Sequence, residues 1–210
     1  MDERTALVVI DMQGGFLSPA SAQYIDGAAA TVPACAAVIR ACRSRGIPVF
    51  FVIRSYRADG SDVEHTRFDA WLRGGKALSP GCPEAIGEAM PDSFGPERGD
   101  YVLFKPRFSA FFQTELDLML RRLRRDTVLL AGTTTPNCIR TTAYDGLSLE
   151  YNVAVLTDCT SSIHDDVQRA NLEDMARVGV QLVSSEDFIS GRVTLDDCAG
   201  RVQAAVKAGV

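Results

Sequence analysis

Short apolar runs rich in Val, Ile and Leu alternate along the chain with amphipathic stretches. The apolar runs are nearly continuous, which is typical of strands that are buried on both faces of a parallel sheet. They predict six strands, at residues 5–10, 47–53, 100–104, 127–131, 152–157 and 180–183. The amphipathic stretches predict helices near residues 28–45, 109–124, 137–149, 164–178 and 194–207. Repeated strand–helix alternation implies right-handed crossovers, and so a three-layer α/β/α fold with a parallel sheet in the middle.

One long segment interrupts this rhythm. Residues 55–99 contain clusters of Gly, Pro and Asp and show only weak periodicity. Connections of this length are usually lids, binding loops or partner contacts. Trp71, the only tryptophan, favours a short packed helix there, and a place in a pocket wall or a subunit interface is the alternative. We expect one domain over residues 1–210, with an excursion at 55–99 and a C-terminal tail at 190–210.

The net charge and the cysteines indicate which binding partners and which cellular compartment to expect. The formal charge of −5 argues against a nucleic-acid surface, and the basic run Arg121–Arg125 falls at a predicted helix end, where cations complement the helix dipole. No apolar run reaches the roughly 18 residues of a membrane helix, so we expect no membrane partner either. The charged N-terminus enters a strand directly, and six scattered cysteines form no CxxC pair. These features favour reduced thiols in a cytoplasm.

Polar side chains follow the predicted strands at their carboxyl ends, where open parallel sheets bind ligands. Asp11 follows the first strand, Lys105 the third and Cys138 the fourth. Each has an ordinary interpretation as well: a turn-capping carboxylate, a solvated lysine or an inert core cysteine. Thr135 is predicted as a helix N-cap and Pro136 as the first helical residue. Cys138 then lies in the first helical turn, where the helix dipole favours the thiolate.

The three residues together predict nucleophilic catalysis without a histidine. A thiolate attacks a carbonyl, a carboxylate takes the thiol proton and passes it to the leaving amine, and a lysine stabilises the charges. The other cysteines fit this chemistry less well, because they lie at helical packing positions, in the excursion or without a capping sequence.

Three separate motifs carry a resemblance to a known family. The stretches IDMQGGFL, FKPRFSAFFQTELDLML and LLAGTTTPNCIRTTAYDGLSLEYNVAVLTDCTSS resemble the isochorismatase-like cysteine hydrolases, in the same order, over about residues 5–185. The family includes nicotinamidases, N-carbamoylsarcosine amidase, and biuret and ureidoacrylate amidohydrolases. The resemblance implies an Asp11–Lys105–Cys138 triad. It also implies a cis peptide between Thr133 and Thr134, with the Thr134 and Cys138 N–H groups forming an oxyanion hole.

The resemblance also raises a geometric question about the lysine. In the Rossmann-like strand order 3-2-1-4-5-6 the third strand is an edge, about 10 Å from the first strand. We therefore expect the loop after the third strand to carry Lys105 back toward Cys138.

Departures from the family pattern shape the expected substrate. Nicotinamidases carry an Asp-x-His metal cluster after the second strand, whereas this chain reads RSYRADGSDVEHT there, so we expect no metal and no cofactor. The missing cluster argues against nicotinamide as the substrate. The residues Arg54, Tyr56, Arg57 and Arg107 are instead candidates for binding an anionic group on the substrate.

Three functions stay open at this point. The leading hypothesis is a metal-independent hydrolase that cleaves a C–N bond of a small carboxamide or ureido compound through a thioester. The second is hydrolysis of an ester or of an isochorismate-type vinyl ether, which the cysteine nucleophile disfavours. The third is a catalytically silent binding protein with the same fold. Relatives usually form dimers or larger assemblies, so a homo-oligomer is expected.

Overall fold

A six-stranded parallel sheet forms the centre of the molecule. The computed structural model describes residues 2–209, and its sheet has the order β3-β2-β1-β4-β5-β6. The strands are β1 (Thr5–Ile10), β2 (Val49–Arg54), β3 (Tyr101–Lys105), β4 (Thr127–Thr133), β5 (Asn152–Ser161) and β6 (Gln181–Val183). The predicted fold class and strand order are therefore confirmed.

Eight α-helices are described. They are α1 (Gly14–Leu17), α2 (Ala28–Ser44), α3 (Phe68–Arg73), α4 (Leu116–Arg122), α5 (Arg140–Ser148), α6 (Asp165–Arg177), α7 (Ser185–Ser190) and α8 (Cys198–Ala208). The helix predicted over 109–124 is wrong in its first half. Ser109 and Thr114 there accept hydrogen bonds from the backbone N–H groups of Phe111 and Leu116, and such local bonds compete with a helix.

Two hydrophobic clusters cover the two faces of the sheet. Successive residues of β1 alternate between them: Leu7 and Val9 pack on one face, and Val8 and Ile10 on the other. The first face is covered by α2 and α7. The second is covered by side chains of α4, α5 and α6, namely Leu116, Leu120, Ala143 and Met175. This arrangement gives the three layers that the alternation of strands and helices predicted.

The excursion packs as a small cluster of its own. Trp71 lies in α3, is 4% exposed, and donates a hydrogen bond from its indole nitrogen to the carbonyl of Ala77 at 2.9 Å. It joins Phe16, Tyr56, Val63 and Leu78 in a third buried cluster. The prediction of a short packed helix around Trp71 is confirmed. Tyr56 of this cluster accepts a hydrogen bond from Arg54 at the end of β2, so the excursion packs beside that strand end.

None of the helices described over residues 2–209 combines the length and apolar character needed to cross a bilayer.

Candidate active site

Asp11 directly follows the last residue of β1 and is completely buried. Its backbone φ is 55°, in the left-handed region that Asp tolerates better than most residues. Its N–H still donates to the carbonyl of Val52 in the neighbouring strand at 3.0 Å. The chain therefore stays attached to the sheet while the conformation breaks the alternation of β1. The carboxylate of Asp11 is therefore held inside the protein at the end of β1.

Lys105 is the last residue of β3, and its side chain is fully buried. Its ammonium lies 2.7 Å from Oδ2 of Asp11 and donates hydrogen bonds to Sγ of Cys138 at 3.5 Å and to the carbonyl of Arg107 at 3.0 Å. The expectation that a loop carries Lys105 back is wrong. The lysine belongs to the edge strand itself, and its long side chain crosses β2 to reach the end of β1.

Cys138 lies in a wide helical turn, Thr135–Ile139, that follows β4 and leads into α5. The predicted N-cap is wrong by one residue. The capping position is Thr134, whose hydroxyl donates to the carbonyl of Ser161 at 3.1 Å instead of capping the turn. The N–H of Ile139 donates to the carbonyl of Thr134 across five residues, which makes this turn wider than an α-helical one.

Gly132 allows β4 to approach β1 closely just before this turn. Its φ is 115°, and a Cβ at this position would overlap the backbone of Ile10. The peptide bond between Thr133 and Thr134 is cis, as the resemblance implied. The oxyanion hole made by the N–H groups of Thr134 and Cys138 stays a prediction.

Burial and charge set the protonation of the thiol. Burial and the carboxylate of Asp11 raise the pKa of Cys138 to about 11, while Lys105 and Arg54 act in the lowering direction. The two raising effects oppose the helix start, which favours the thiolate. The helix start is outweighed by the loss of water around the sulfur and by the nearby carboxylate. The neutral thiol needs a proton acceptor before it can attack, and Asp11 is the carboxylate that faces it.

Arg54, the last residue of β2, is paired in register with Lys105 and is only 1% exposed. Its Nη1 donates to the hydroxyl of Tyr56 at 2.7 Å and to Oε1 of Glu64 at 2.5 Å. Burial would lower the pKa of Arg54, but Asp11, Tyr56, Cys138 and Glu64 together raise it above its ordinary value. The guanidinium is therefore charged, and it acts on the same two groups, Asp11 and Cys138, as the lysine does.

The other three candidates for substrate binding are placed differently. The Tyr56 hydroxyl accepts from Arg54 and donates to Oε2 of Glu64 at 2.8 Å, and burial raises the pKa of Tyr56 to about 12. Arg57 is exposed. Arg107 is half-buried, and its Nη1 donates to the carbonyls of Pro106 and Asp62. The structure thus brings Arg54 to the triad, holds Tyr56 behind Arg54, and leaves Arg57 outside the cluster.

Three residues of this site were missed by the sequence reasoning. Glu64 lies inside the excursion, and Arg54 holds the pKa of Glu64 below its ordinary value although burial opposes this. Gln13 is fully buried and exchanges two hydrogen bonds of 2.8 Å with the backbone of Arg54. The ring of Phe108 stacks 5.5 Å from the guanidinium carbon of Arg54. Only Gln13 had a usable signal, since it follows Asp11 after the same strand.

No group of three or more His, Cys, Asp and Glu side chains within residues 2–209 is arranged to hold a metal ion. The expectation that catalysis needs no metal stays a prediction.

Comparison with known proteins agrees with the geometry. Residues 5–187 match the isochorismatase domain family. The chain is 36% identical to a protein of Arabidopsis thaliana named a probable inactive nicotinamidase, over 84% of this chain and 90% of that protein. It is 31% identical to maleamate amidohydrolase of Pseudomonas putida, over 88% and 84% of the two chains.

A solved structure extends this agreement to three dimensions. The isochorismatase family protein of Desulfovibrio vulgaris superposes with a TM-score of 0.82 at 40% identity, covering 88% of this chain and 96% of that one. Because the family match spans most of the chain and the fold agrees with that of a family member, this protein belongs to the isochorismatase family of hydrolases.

Proposed function

We propose that the protein is a cysteine amidohydrolase that cleaves a C–N bond of a small carboxamide or ureido compound through a thioester on Cys138. The observation that carries the proposal is the position of the Lys105 ammonium, 2.7 Å from Asp11 and 3.5 Å from the Cys138 sulfur, in a completely buried site. A buried carboxylate, ammonium and thiol in contact are costly to assemble without a function. The name of the maleamate amidohydrolase supports amide chemistry.

Asp11 is the general base of the proposed reaction. It accepts the thiol proton as Sγ forms a bond to the carbonyl carbon, and the electron pair of the C=O bond moves onto oxygen. The N–H groups of Thr134 and Cys138 hold that oxyanion, a type of contact worth about 3 kcal/mol per donor. Protonated Asp11 then gives its proton to the leaving nitrogen as the C–N bond breaks. Asp11 then takes a proton from water as the water oxygen bonds to the thioester carbon, and gives it to Sγ as the C–S bond breaks, which restores the thiol and releases the acid.

Lys105 makes this proton transfer possible in a dry site. Its ammonium is paired with the Asp11 carboxylate and lies next to the sulfur on which negative charge develops. The raised pKa of the Cys138 thiol is compatible with the mechanism, because the proton leaves the sulfur only as the carbonyl is attacked.

The proposal keeps the predicted binding of an anionic group, but in a narrower form. The predicted residues were Arg54, Tyr56, Arg57 and Arg107. Arg54 is the arginine that faces the triad, and Tyr56 acts through Arg54. Arg57 and Arg107 are assigned to the rim, where they meet a substrate only during entry.

Trapping of the acyl-enzyme tests the function directly. Wild-type protein is incubated with a panel of small amides and ureido acids, ammonia release is measured, and the protein is quenched in acid for intact mass. We expect ammonia release together with an acyl mass adduct on the peptide containing Cys138, and loss of both in Cys138→Ala. Turnover that persists in Cys138→Ala overturns the thioester mechanism. Preferential alkylation of Cys138 without any turnover across the panel favours a silent binding protein.

A further inference from the structure

Thr142, in the first turn of α5, links the turn of Cys138 to a distant part of the chain. Its hydroxyl donates to the carbonyl of Cys138 at 2.6 Å and accepts from the backbone N–H of Ala110 at 2.9 Å. Thr142 and Ala110 are both completely buried, and Ala110 packs in the same apolar cluster as Cys138. One hydroxyl therefore joins two segments that lie 32 residues apart in sequence, in a place where water does not compete for the bonds.

The segment that contains Ala110 is the one that follows Lys105. It runs over residues 106–115, between the end of β3 and the start of α4. The Lys105 ammonium donates to the carbonyl of Arg107 in this segment at 3.0 Å. The position of the segment therefore affects where the ammonium lies, and the bond from Ala110 to Thr142 fixes one point of the segment relative to Cys138.

Thr141, the preceding residue, shows what a threonine does in this turn without such a link. Its hydroxyl donates to the carbonyls of Asn137 at 2.7 Å and Cys138 at 3.4 Å, and both bonds stay within its own helical turn. Bonds of this kind are common for threonine in helices and indicate no function. The bond that Thr142 accepts from Ala110 is different, because it connects the backbone of the nucleophile to the segment that holds the ammonium.

The separation of the two segments matters because charged side chains act on the Cys138 thiol from the ends of three strands. Burial and Asp11, after β1, raise the pKa of this thiol, whereas Lys105, on β3, and Arg54, on β2, lower it. The ammonium lies 3.5 Å from the sulfur. Coulomb attraction weakens with distance, so a shift of the Lys105 segment weakens the stabilisation of negative charge on sulfur.

We propose that Thr142 is a positioning residue, whose hydroxyl holds the Cys138 turn and the Lys105 segment at the separation that catalysis requires. This inference rests on the proposed function and adds a residue to it. Thr142 acts through Cys138 and Lys105 and takes no part in proton transfer. Without the hydroxyl the two segments separate, and a displacement of about 1 Å near reacting atoms can lower a rate by about 10²-fold.

Three substitutions separate positioning from simple packing. Thr142→Val keeps the shape of the side chain and deletes both bonds, Thr142→Ser restores the hydroxyl, and Thr141→Val is the matched control in the same turn. For any amide that is turned over, we expect Thr142→Val to lower kcat about tenfold or more while KM stays within about threefold. The other two variants should keep kcat within about threefold of wild type.

Iodoacetamide labelling of Cys138 across pH, read by peptide mass spectrometry, tests the geometry without turnover. Lys105 lowers the pKa of the thiol, so Thr142→Val should raise it and slow labelling at pH 8 by about threefold for each half unit of pKa. Thr142→Ser and Thr141→Val should keep the wild-type profile. Faster labelling at every pH without a displaced profile would mean that the substitution only opens the site, and it overturns the proposal.

Replacing Ala110 by its α-hydroxy acid deletes the same bond from the other segment. The N–H becomes an ester oxygen and every side chain stays in place, so this variant decides the question if Thr142→Val does not fold. We expect the same displaced profile and the same fall in kcat, with urea unfolding as the check that the protein is folded. A wild-type profile and kcat in the ester variant, or equal effects of Thr142→Val and Thr141→Val, overturn the positioning role. A displaced profile in a protein that turns over no amide leaves the effect of Thr142 on the thiol and overturns the hydrolase.

Discussion

Two cysteines at the carboxyl edge of the sheet invite comparison: Cys138 after β4 and Cys159 near the end of β5. Both are buried in the described structure, and both thiols have a raised pKa. Cys138 is surrounded by Asp11, Lys105 and Arg54. Cys159 instead interacts with Cys35, which raises its pKa together with burial, and packs in the apolar cluster on the other face of the sheet.

The difference shows that burial alone does not identify a nucleophile. Burial pushes both thiols toward the neutral form, so neither is marked by its resting protonation. Of the two, Cys138 has both a carboxylate and two cations acting on it, and these come from the ends of β1, β2 and β3. The carbonyl of Cys159 accepts a contact of 3.4 Å from the Cys35 thiol, which is an interaction of a packed core. Charge organisation, rather than exposure, separates the reactive site from the structural one.

Removing each thiol should give the largest contrast. We expect Cys138→Ala to lower kcat/KM for any turned-over amide by about 10³-fold or more, because no other group can form the thioester. Cys159→Ala should keep kcat within about threefold and lower only the melting temperature, since it deletes a core contact. Initial rates of ammonia release over a range of substrate concentrations, together with thermal unfolding, check the two variants. Equal loss of activity in both would remove the distinction between the two cysteines.

The buried ion pair beneath Cys138 should contribute the next largest effect. Asp11→Asn leaves the Lys105 ammonium buried without its carboxylate, which costs about 3–5 kcal/mol in the free energy of unfolding. Asn is the suitable replacement because it tolerates the left-handed backbone at this position. Glu186→Gln, in an exposed ion pair with Arg192, is the matched control and should be indistinguishable from wild type. Urea unfolding at constant pH measures both, and equal stability of the two variants would contradict a buried pair.

The strand ends were predictable from sequence, and the contacts between them were not. Asp11, Lys105 and Cys138 each follow a near-continuous apolar run, and parallel strands bring their carboxyl ends to one edge. The partner of Arg54 could not be found this way, because Glu64 lies ten residues further on, inside a segment with weak periodicity. The raised pKa of the Cys138 thiol could not be foreseen for a related reason: a helix start is visible in sequence, whereas burial beside a carboxylate is a property of the fold.

The pH dependence of alkylation is a further test of how the surroundings of Cys138 affect its thiol. The expected change in labelling rate is about tenfold. In wild-type protein, labelling of Cys138 by iodoacetamide should increase as pH rises toward about 11, the raised pKa of its thiol. Asp11 raises that pKa, so Asp11→Asn should lower it and speed labelling at pH 8 by about tenfold for each unit of pKa. Hydrolysis should fall in the same variant, because the proton acceptor is gone. Slower labelling in Asp11→Asn would contradict the raising of the thiol pKa by Asp11, and unchanged hydrolysis would argue against Asp11 as the base.

The smallest predicted effect concerns two buried threonines, one in each region. The Thr135 hydroxyl, in the turn of Cys138, has no hydrogen-bond partner within the described residues, whereas the Thr160 hydroxyl, beside Cys159, accepts from Gln168 at 3.2 Å. Thr160→Val should cost about 1 kcal/mol, and Thr135→Val should be neutral or slightly stabilising, because it removes a polar group that burial penalises. An increase in KM in Thr135→Val without a loss of stability would assign the free hydroxyl to substrate. A loss of stability equal to that of Thr160→Val would show that the Thr135 hydroxyl is hydrogen-bonded. The polar side chain in the Cys138 turn would then stabilise the fold, as the one beside Cys159 does.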